Sequence, residues 1–245
     1  MKILNRIGAY FLFVRRVFAR PVKWKVFKKE LLNEFEKLGL NSIVLVLIIS
    51  FFIGAVITLQ IANNMSNPFL PRYLIGYLIR EILILEFSST IVSLILAGKI
   101  GSNIALEIGS MKISEQIDAL EMMGINSASF LIGPKMLASF VINPILYIFS
   151  VFIGILGGLC TGIMMGVINF EDFIFGLQAF FRPYYIFYSV IKTLFFAFIF
   201  TSIPAFYGFS VEGGAREVGT AGTKAIVHSS ILILMINLVL TQLLL

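Results

Sequence analysis

Residues 99–124 read KIGSNIALEIGSMKISEQIDALEMMG and interrupt a chain that is otherwise almost entirely apolar. They carry Lys99, Glu107, Lys112, Glu115, Asp118 and Glu121, whereas residues 136–167 beyond them carry no Asp, Glu, Lys or Arg. A segment this polar has no use inside a bilayer, so it implies a surface read from outside the membrane. The flanks decide the fold. On both sides lie runs of the roughly 20 apolar residues that a spanning helix needs.

Working outward, five such runs appear: residues 43–62, 73–98, 136–167, 184–209 and 225–245. Polar loops are expected at 63–72, around Glu171, Asp172, Arg182 and Pro183, and at 210–224. Asn143-Pro144 is expected to kink the third run. Residues 1–39 read as interfacial helix. Ile3, Ile7, Tyr10, Phe11, Val14 and Phe18 recur at helical spacing among Lys2, Arg6, Arg15 and Arg16. After an interruption at Pro21, Trp24, Phe27, Leu31, Phe35 and Leu38 repeat the pattern beside Lys25, Lys28, Lys29 and Lys37. An apolar face opposite a basic face lies in the headgroup plane. The expected class is an all-α polytopic membrane protein: an amphipathic N-terminal segment, 1–39, and a transmembrane domain, 40–245, with about five spans and a cytoplasmic helix between the second and third.

Composition agrees. The 245 residues are 59% hydrophobic and 13% charged, with mean hydropathy +0.98; soluble domains carry about 25% charge. The net charge of +6 does not indicate nucleic acid, because ten of the nineteen Lys and Arg precede Leu38, beside the first span. That is the pattern of a cytoplasmic, lipid-facing segment. Counting basic residues in the loops puts the N-terminus and residues 99–124 in the cytoplasm and the C-terminus outside. The single Cys160 allows no internal disulfide, and the single His228 has no partner ligands nearby in sequence, so no metal site is expected. Residues 213–224, GGAREVGTAGTK, lack the Gly-Lys-Ser/Thr ending and the preceding strand of a phosphate loop.

Within the polar segment, Ser110 suits a helix N-cap. Ile113, Ile117 and Leu120 form an apolar stripe, with Glu115, Asp118 and Glu121 on another face. Such a helix either docks in a groove on a cytosolic partner or rests, solvated, on the membrane. Inside the spans, Glu86 and Lys192 are charges costing about 2.5–3.5 kcal/mol each at bilayer depth. They either pair with each other or line a path for an amphiphile's headgroup. Gly154, Gly158, Gly162 and Gly166 recur every four residues, a smooth stripe for close helix packing whose partner helix is open.

The run 96–126, LAGKIGSNIALEIGSMKISEQIDALEMMGIN, resembles the signature of the MlaE (YrbE) permease family, the membrane subunits of lipid-transporting ABC systems that work with MCE-domain proteins. The likeness continues at Arg20-Pro21 through Trp24, residues 49–60, Pro134-Lys135, Gly157-Gly158 and 213–241, and covers nearly the whole chain from about residue 18. It implies that the 99–124 helix is a cytoplasmic coupling helix, with Glu107, Lys112, Glu115, Gln116, Asp118 and Glu121 meeting a cytosolic ABC ATPase. It implies a homodimer in the bacterial inner membrane, a periplasmic MCE-domain partner and a phospholipid substrate moved between inner and outer membrane. No cofactor is expected on this chain; ATP and Mg belong to the ATPase. The resemblance places Glu86, Lys192 and Asn237 on the substrate path. Two departures stand out. The family's R-E-L-G-P reads Leu85-Glu86-Phe87-Ser88-Ser89 here, which implies a straighter helix, and Asn237 stands where relatives can carry Asp. An ion-coupled carrier or channel, with Glu86 as the ion-linked acid, and a non-transporting membrane scaffold are the other classes compatible with the residues.

Overall fold

The computed structural model describes residues 2–19, 24–65 and 71–245. The interruption at Pro21, the Arg20-Pro21 match, the centre of the first loop and the side chains of Lys2 and Ile3 lie outside what is described. Among the described residues all regular structure is helical. We number the helices α1 (Lys2–Phe18), α2 (Trp24–Asn64), α3 (Tyr73–Ile113), α4 (Gln116–Met122), α5 (Ser127–Met164), α6 (Phe170–Gln178), α7 (Tyr184–Phe209) and α8 (Ala215–Leu244). Five of them, α2, α3, α5, α7 and α8, are long and apolar enough to cross a membrane.

Four of the five spans are longer than their apolar runs, and α7 matches its run, 184–209. α2 and α3 have 41 residues each, about 60 Å at 1.5 Å per residue and twice a bilayer's hydrocarbon thickness. α2 therefore continues through residue 39 without a break, relaxing into π turns at Phe35–Leu40. α3 runs through the expected end of its span and on to Ile113. Ser110 is thus not an N-cap: its hydroxyl donates to Glu107 O at 2.8 Å inside the helix. The helix persists because its far end is packed. Ile104, Ala105, Ile108 and Gly109 are buried, and a Cβ on Gly208 of α7 would meet Ala105 O at 2.9 Å. α3 ends only at Ser114, and Glu115 turns the chain with φ 61° into α4. The expected loop 210–224 also shrinks. α8 starts at Ala215, where the Glu217 carboxylate accepts the Gly214 N–H at 3.0 Å, a first-turn acid that satisfies a free donor and favours the helix start.

The glycine stripe finds its partner within the chain. A Cβ on Gly54 of α2 would fall 1.8 Å from Gly154 O, one on Gly157 2.2 Å from Phe51 O, and one on Gly158 2.5 Å from Thr58 Oγ1. The α2 and α5 backbones touch, with Ser50 Oγ donating to Ser150 Oγ at 2.8 Å between them. A Cβ on Gly162 would meet Ile168 at 2.8 Å and Thr58 of α2 at 3.4 Å. Gly166 does not belong to the stripe: α5 ends at Met164, and Gly166 adopts φ +65° with nothing within 4 Å of an added Cβ. It serves the chain reversal that an L side chain resists.

α1 lies across the end of the bundle. Tyr10 and Phe13 pack edge-on against Phe206 of α7, while Phe11, Leu12 and Phe18 stay exposed. Arg16 reaches Glu121 at 2.6 Å, and the Asn126 amide donates to Arg16 O at 2.8 Å and to Ala19 O. α1 is thereby tied to the polar segment. At the opposite end the short α6 packs on α3, where buried Arg80 donates to Leu177 O (2.6 Å) and Ala179 O (2.8 Å) and pairs with Glu81 (2.7 Å). A guanidinium on the last carbonyls of α6 satisfies acceptors that have no helical partner.

Candidate functional site

Three helices each deliver a pair of polar side chains four residues apart, and the pairs meet inside the apolar bundle: Glu86 and Thr90 from α3, Tyr188 and Lys192 from α7, Asn237 and Thr241 from α8. Spacing of four puts both members of a pair on one helix face. Lys192 Nζ lies 2.9 Å from Glu86 Oε1, 3.0 Å from Tyr188 Oη and 3.2 Å from Leu85 O. The other carboxylate oxygen, Oε2, accepts from Asn237 Nδ2 at 3.0 Å. Thr241 Oγ1 is 3.1 Å from Oε1.

The backbone under Glu86 is not the straighter helix expected from the missing Gly-Pro. Leu83–Ile91 winds as π turns. Wide turns shift the ladder and present carbonyls sideways, which needs outside donors in an apolar setting. Those donors are present: Ser189 Oγ reaches Ile84 O at 2.6 Å, Tyr147 Oη reaches the same oxygen at 3.4 Å, and Lys192 takes Leu85 O. The local geometry thus comes from neighbouring helices, not from the residues of the π segment.

The structure pairs Glu86 with Lys192, yet their exposure differs: the Lys192 side chain is 0% exposed and that of Glu86 37%. The ammonium is sealed and the carboxylate keeps an open edge beside Asn237. A charged pair with one open acid offers an acceptor to an approaching donor, such as an amine or hydroxyl. It does not offer a bare cation to a phosphate.

The polar segment divides between packing and display. Ile117 is buried, Leu120 only partly, and Ile113 is exposed. Lys112 pairs with Asp118 at 2.8 Å, and Glu121 holds both Arg16 and Ser127 (2.7 Å). Glu115, Gln116, Asp118 and Glu121 are on the surface, and Met122, 90% exposed, projects beside them with Met123. Glu107, also exposed, has its Oε2 2.7 Å from Lys135 Nζ. That lysine is 4% exposed and also meets Glu34 Oε1 at 2.7 Å, with Glu34 at 6%. In the sequence Lys135 stands out only within the Pro134-Lys135 likeness, and Glu34 does not stand out at all. The available signals were a Pro-Lys step within an apolar run and an acid inside the Leu31–Phe35–Leu38 stripe. His228 sits on α8 with Nδ1 2.7 Å from Lys224 O.

Five spans, a hydrogen-bonded charge pair within them and a surface-displayed helical elbow define a multi-pass membrane protein. Comparison with known proteins identifies which type. The family model described as Permease MlaE matches residues 31–243, and the chain belongs to that family. It is 30% identical over 243 residues to a probable ABC transporter permease protein of Rickettsia prowazekii, covering 99% of this chain and 93% of that one. It is 31% identical over 212 residues to the intermembrane phospholipid transport system permease protein MlaE of Haemophilus influenzae (86% and 81%). The Arabidopsis thaliana chloroplast protein TRIGALACTOSYLDIACYLGLYCEROL 1 is 29% identical over 227 residues (93% and 65%).

Proposed function

We propose that this chain is the membrane permease subunit of an ATP-driven phospholipid transporter in the bacterial inner membrane, moving lipid between inner and outer membrane. The observation that carries this reading is the open edge of Glu86 beside Asn237, a polar group within the spans of a chain whose Haemophilus relative is named for phospholipid transport. Two copies pair and enclose a lipid path. The headgroup meets Glu86 and Asn237, with Lys192 as the sealed counter-ion, and acyl tails lie on apolar helix faces. The chain itself hydrolyses nothing. ATP and Mg are bound by a cytosolic ABC ATPase that docks on the elbow of α3 and α4, where Glu115, Gln116, Asp118 and Glu121 are displayed. Lys112 and Glu107 hold the elbow's shape through Asp118 and Lys135. A periplasmic MCE-domain protein meets the opposite end. The N-terminus lies in the cytoplasm and the C-terminus in the periplasm, as the basic residues favour.

Motion passes by packing. α3 carries both the elbow and Glu86 on one continuous helix, so displacement of the elbow by a closing ATPase moves the Glu86 backbone. The test is reconstitution of the chain with its ATPase in phospholipid vesicles. Lipid-stimulated ATP hydrolysis and ATP-dependent lipid transfer, both lowered by Glu86→Gln, are expected. Hydrolysis indifferent to lipid and to Glu86→Gln would overturn the reading, as would substantial flux with no ATPase present.

A further inference from the structure

At the end of the bundle that α1 crosses, a groove runs between α1, α7 and α8, and nothing in the transport reading uses it. One chamber, about 460 Å³, is lined by Ile7, Tyr10, Ile203, Phe206, Ile231 and Leu232, with Arg6 and His228 also on its wall. Its volume falls in the range of ligand pockets, about 300–1,000 Å³. Arg6, Phe206 and Tyr207 also line a second chamber of about 530 Å³, which carries Glu212, Glu217 and Lys224. The groove is therefore apolar at one end and charged at the other, the profile of an amphiphile. Phe206 lies fourteen residues beyond Lys192 on α7, about 21 Å along the helix, so this groove and the Glu86 centre are separate places.

The charged chamber mixes signs. Arg6 and Lys224 form no ion pair among the described residues, and Glu212 likewise forms none. Glu217 spends one oxygen on Gly214 N. Two cations with two carboxylates match a headgroup holding both a phosphate and an ammonium. A headgroup with phosphate alone would meet the two acids unpaired. The floor is firm: Tyr10 Oη is 2.7 Å from Ser202 Oγ, and burial pushes the Tyr10 phenol above its ordinary range, against the Ser202 hydrogen bond, so it stays a neutral hydroxyl.

We propose that this groove binds one zwitterionic, amine-bearing phospholipid of the adjacent leaflet, its acyl chain under α1, its phosphate between Arg6 and Lys224, and its ammonium at Glu212 and Glu217. The site goes beyond the transport reading and does not depend on it. Full-length protein is reconstituted in phosphatidylcholine vesicles with Trp24→Phe and a reporter Ile231→Trp in the groove. Brominated phosphatidylethanolamine or brominated phosphatidylglycerol is then titrated in. Val44→Trp, on an exposed face of α2, reports ordinary lipid contact. Phosphatidylethanolamine should half-quench Ile231→Trp at about tenfold lower mole fraction than phosphatidylglycerol, the worth of one charge-assisted hydrogen bond, and Val44→Trp should show no preference. Lys224→Ala should weaken quenching by both lipids at Ile231→Trp, and Glu212→Gln should erase only the preference. Equal quenching by the two lipids, a preference shared by Val44→Trp, or preference surviving Glu212→Gln would overturn the proposal. So would an unquenched Ile231→Trp, which would mean that a second protein segment fills the groove. Glu86→Gln, which disables the transport reading's centre, should leave all of these signals unchanged.

Discussion

Two lysine–carboxylate clusters in this molecule use the same chemistry under different access. Lys135 bridges Glu34 and Glu107 at 2.7 Å each, and both Lys135 and Glu34 are closed to solvent. Lys192 holds Glu86 at 2.9 Å, but Glu86 is more than a third exposed. The first cluster joins α2, α3 and α5 near the elbow and leaves Glu34 Oε2 without a hydrogen-bond partner. It has the form of a fastener. The second leaves its acid open and surrounds it with replaceable donors from α8. Charge inside a membrane protein is thus not by itself a sign of substrate handling; the first cluster seals one acid, Glu34, beside its lysine, whereas the single carboxylate of the second is open.

That contrast can be broken in order of effect. Lys135→Met strands Glu34 in a closed site and should cost about 3–5 kcal/mol, read as a large fall in thermal unfolding temperature in detergent. Adding Glu34→Gln to Lys135→Met should restore most of that loss, since neutralising both members of a buried pair costs far less than removing one; a double-mutant cycle measures the coupling. If the double variant is no better than the single, the fastener is a packing effect and not an electrostatic one. Glu86→Gln leaves the sealed Lys192 without its counter-charge but with Leu85 O and Tyr188 Oη still bonded to it, so it should cost about 1–3 kcal/mol, less than stranding Glu34. Lipid-stimulated ATP hydrolysis should nevertheless fall severalfold. A stability loss as large as that of Lys135→Met would make both clusters fasteners. Smallest in stability, Glu115→Lys with Asp118→Lys should change unfolding by about 0.5 kcal/mol or less, as surface substitutions do. Co-purification with the ATPase should be lost while membrane insertion is unchanged.

The elbow shows how far local reading reaches. Residues 110–121 were legible as helical, polar and surface-bound, but not as the continuation of the second span. Helix propagation across Ser102–Ile113 depends on Ile104 and Ile108 being buried against α7 and α8, contacts with residues about a hundred positions away. Glu107 shows the same limit. Its neighbours in sequence suggest a displayed acid, whereas one of its oxygens pairs with the buried Lys135. Gly166 obeyed the four-residue period yet fell past the end of α5, because period alone does not say where a helix stops.

The sequence by itself determined the helical class, the five spans, the bounds of Tyr184–Phe209 and the presence of Glu86 and Lys192 within the spans. Each follows from apolar run length and from the cost of charge in hydrocarbon, which act locally along the chain. Only the tertiary structure decided that α2 is the partner of the glycine stripe, that the helix beneath Glu86 widens into π turns, and that Lys192 is sealed while Glu86 is open. Those outcomes depend on which helices become neighbours and how closely their backbones meet. Side chains distant in sequence, Tyr188, Ser189, Asn237 and Thr241, supply the hydrogen bonds that make the site.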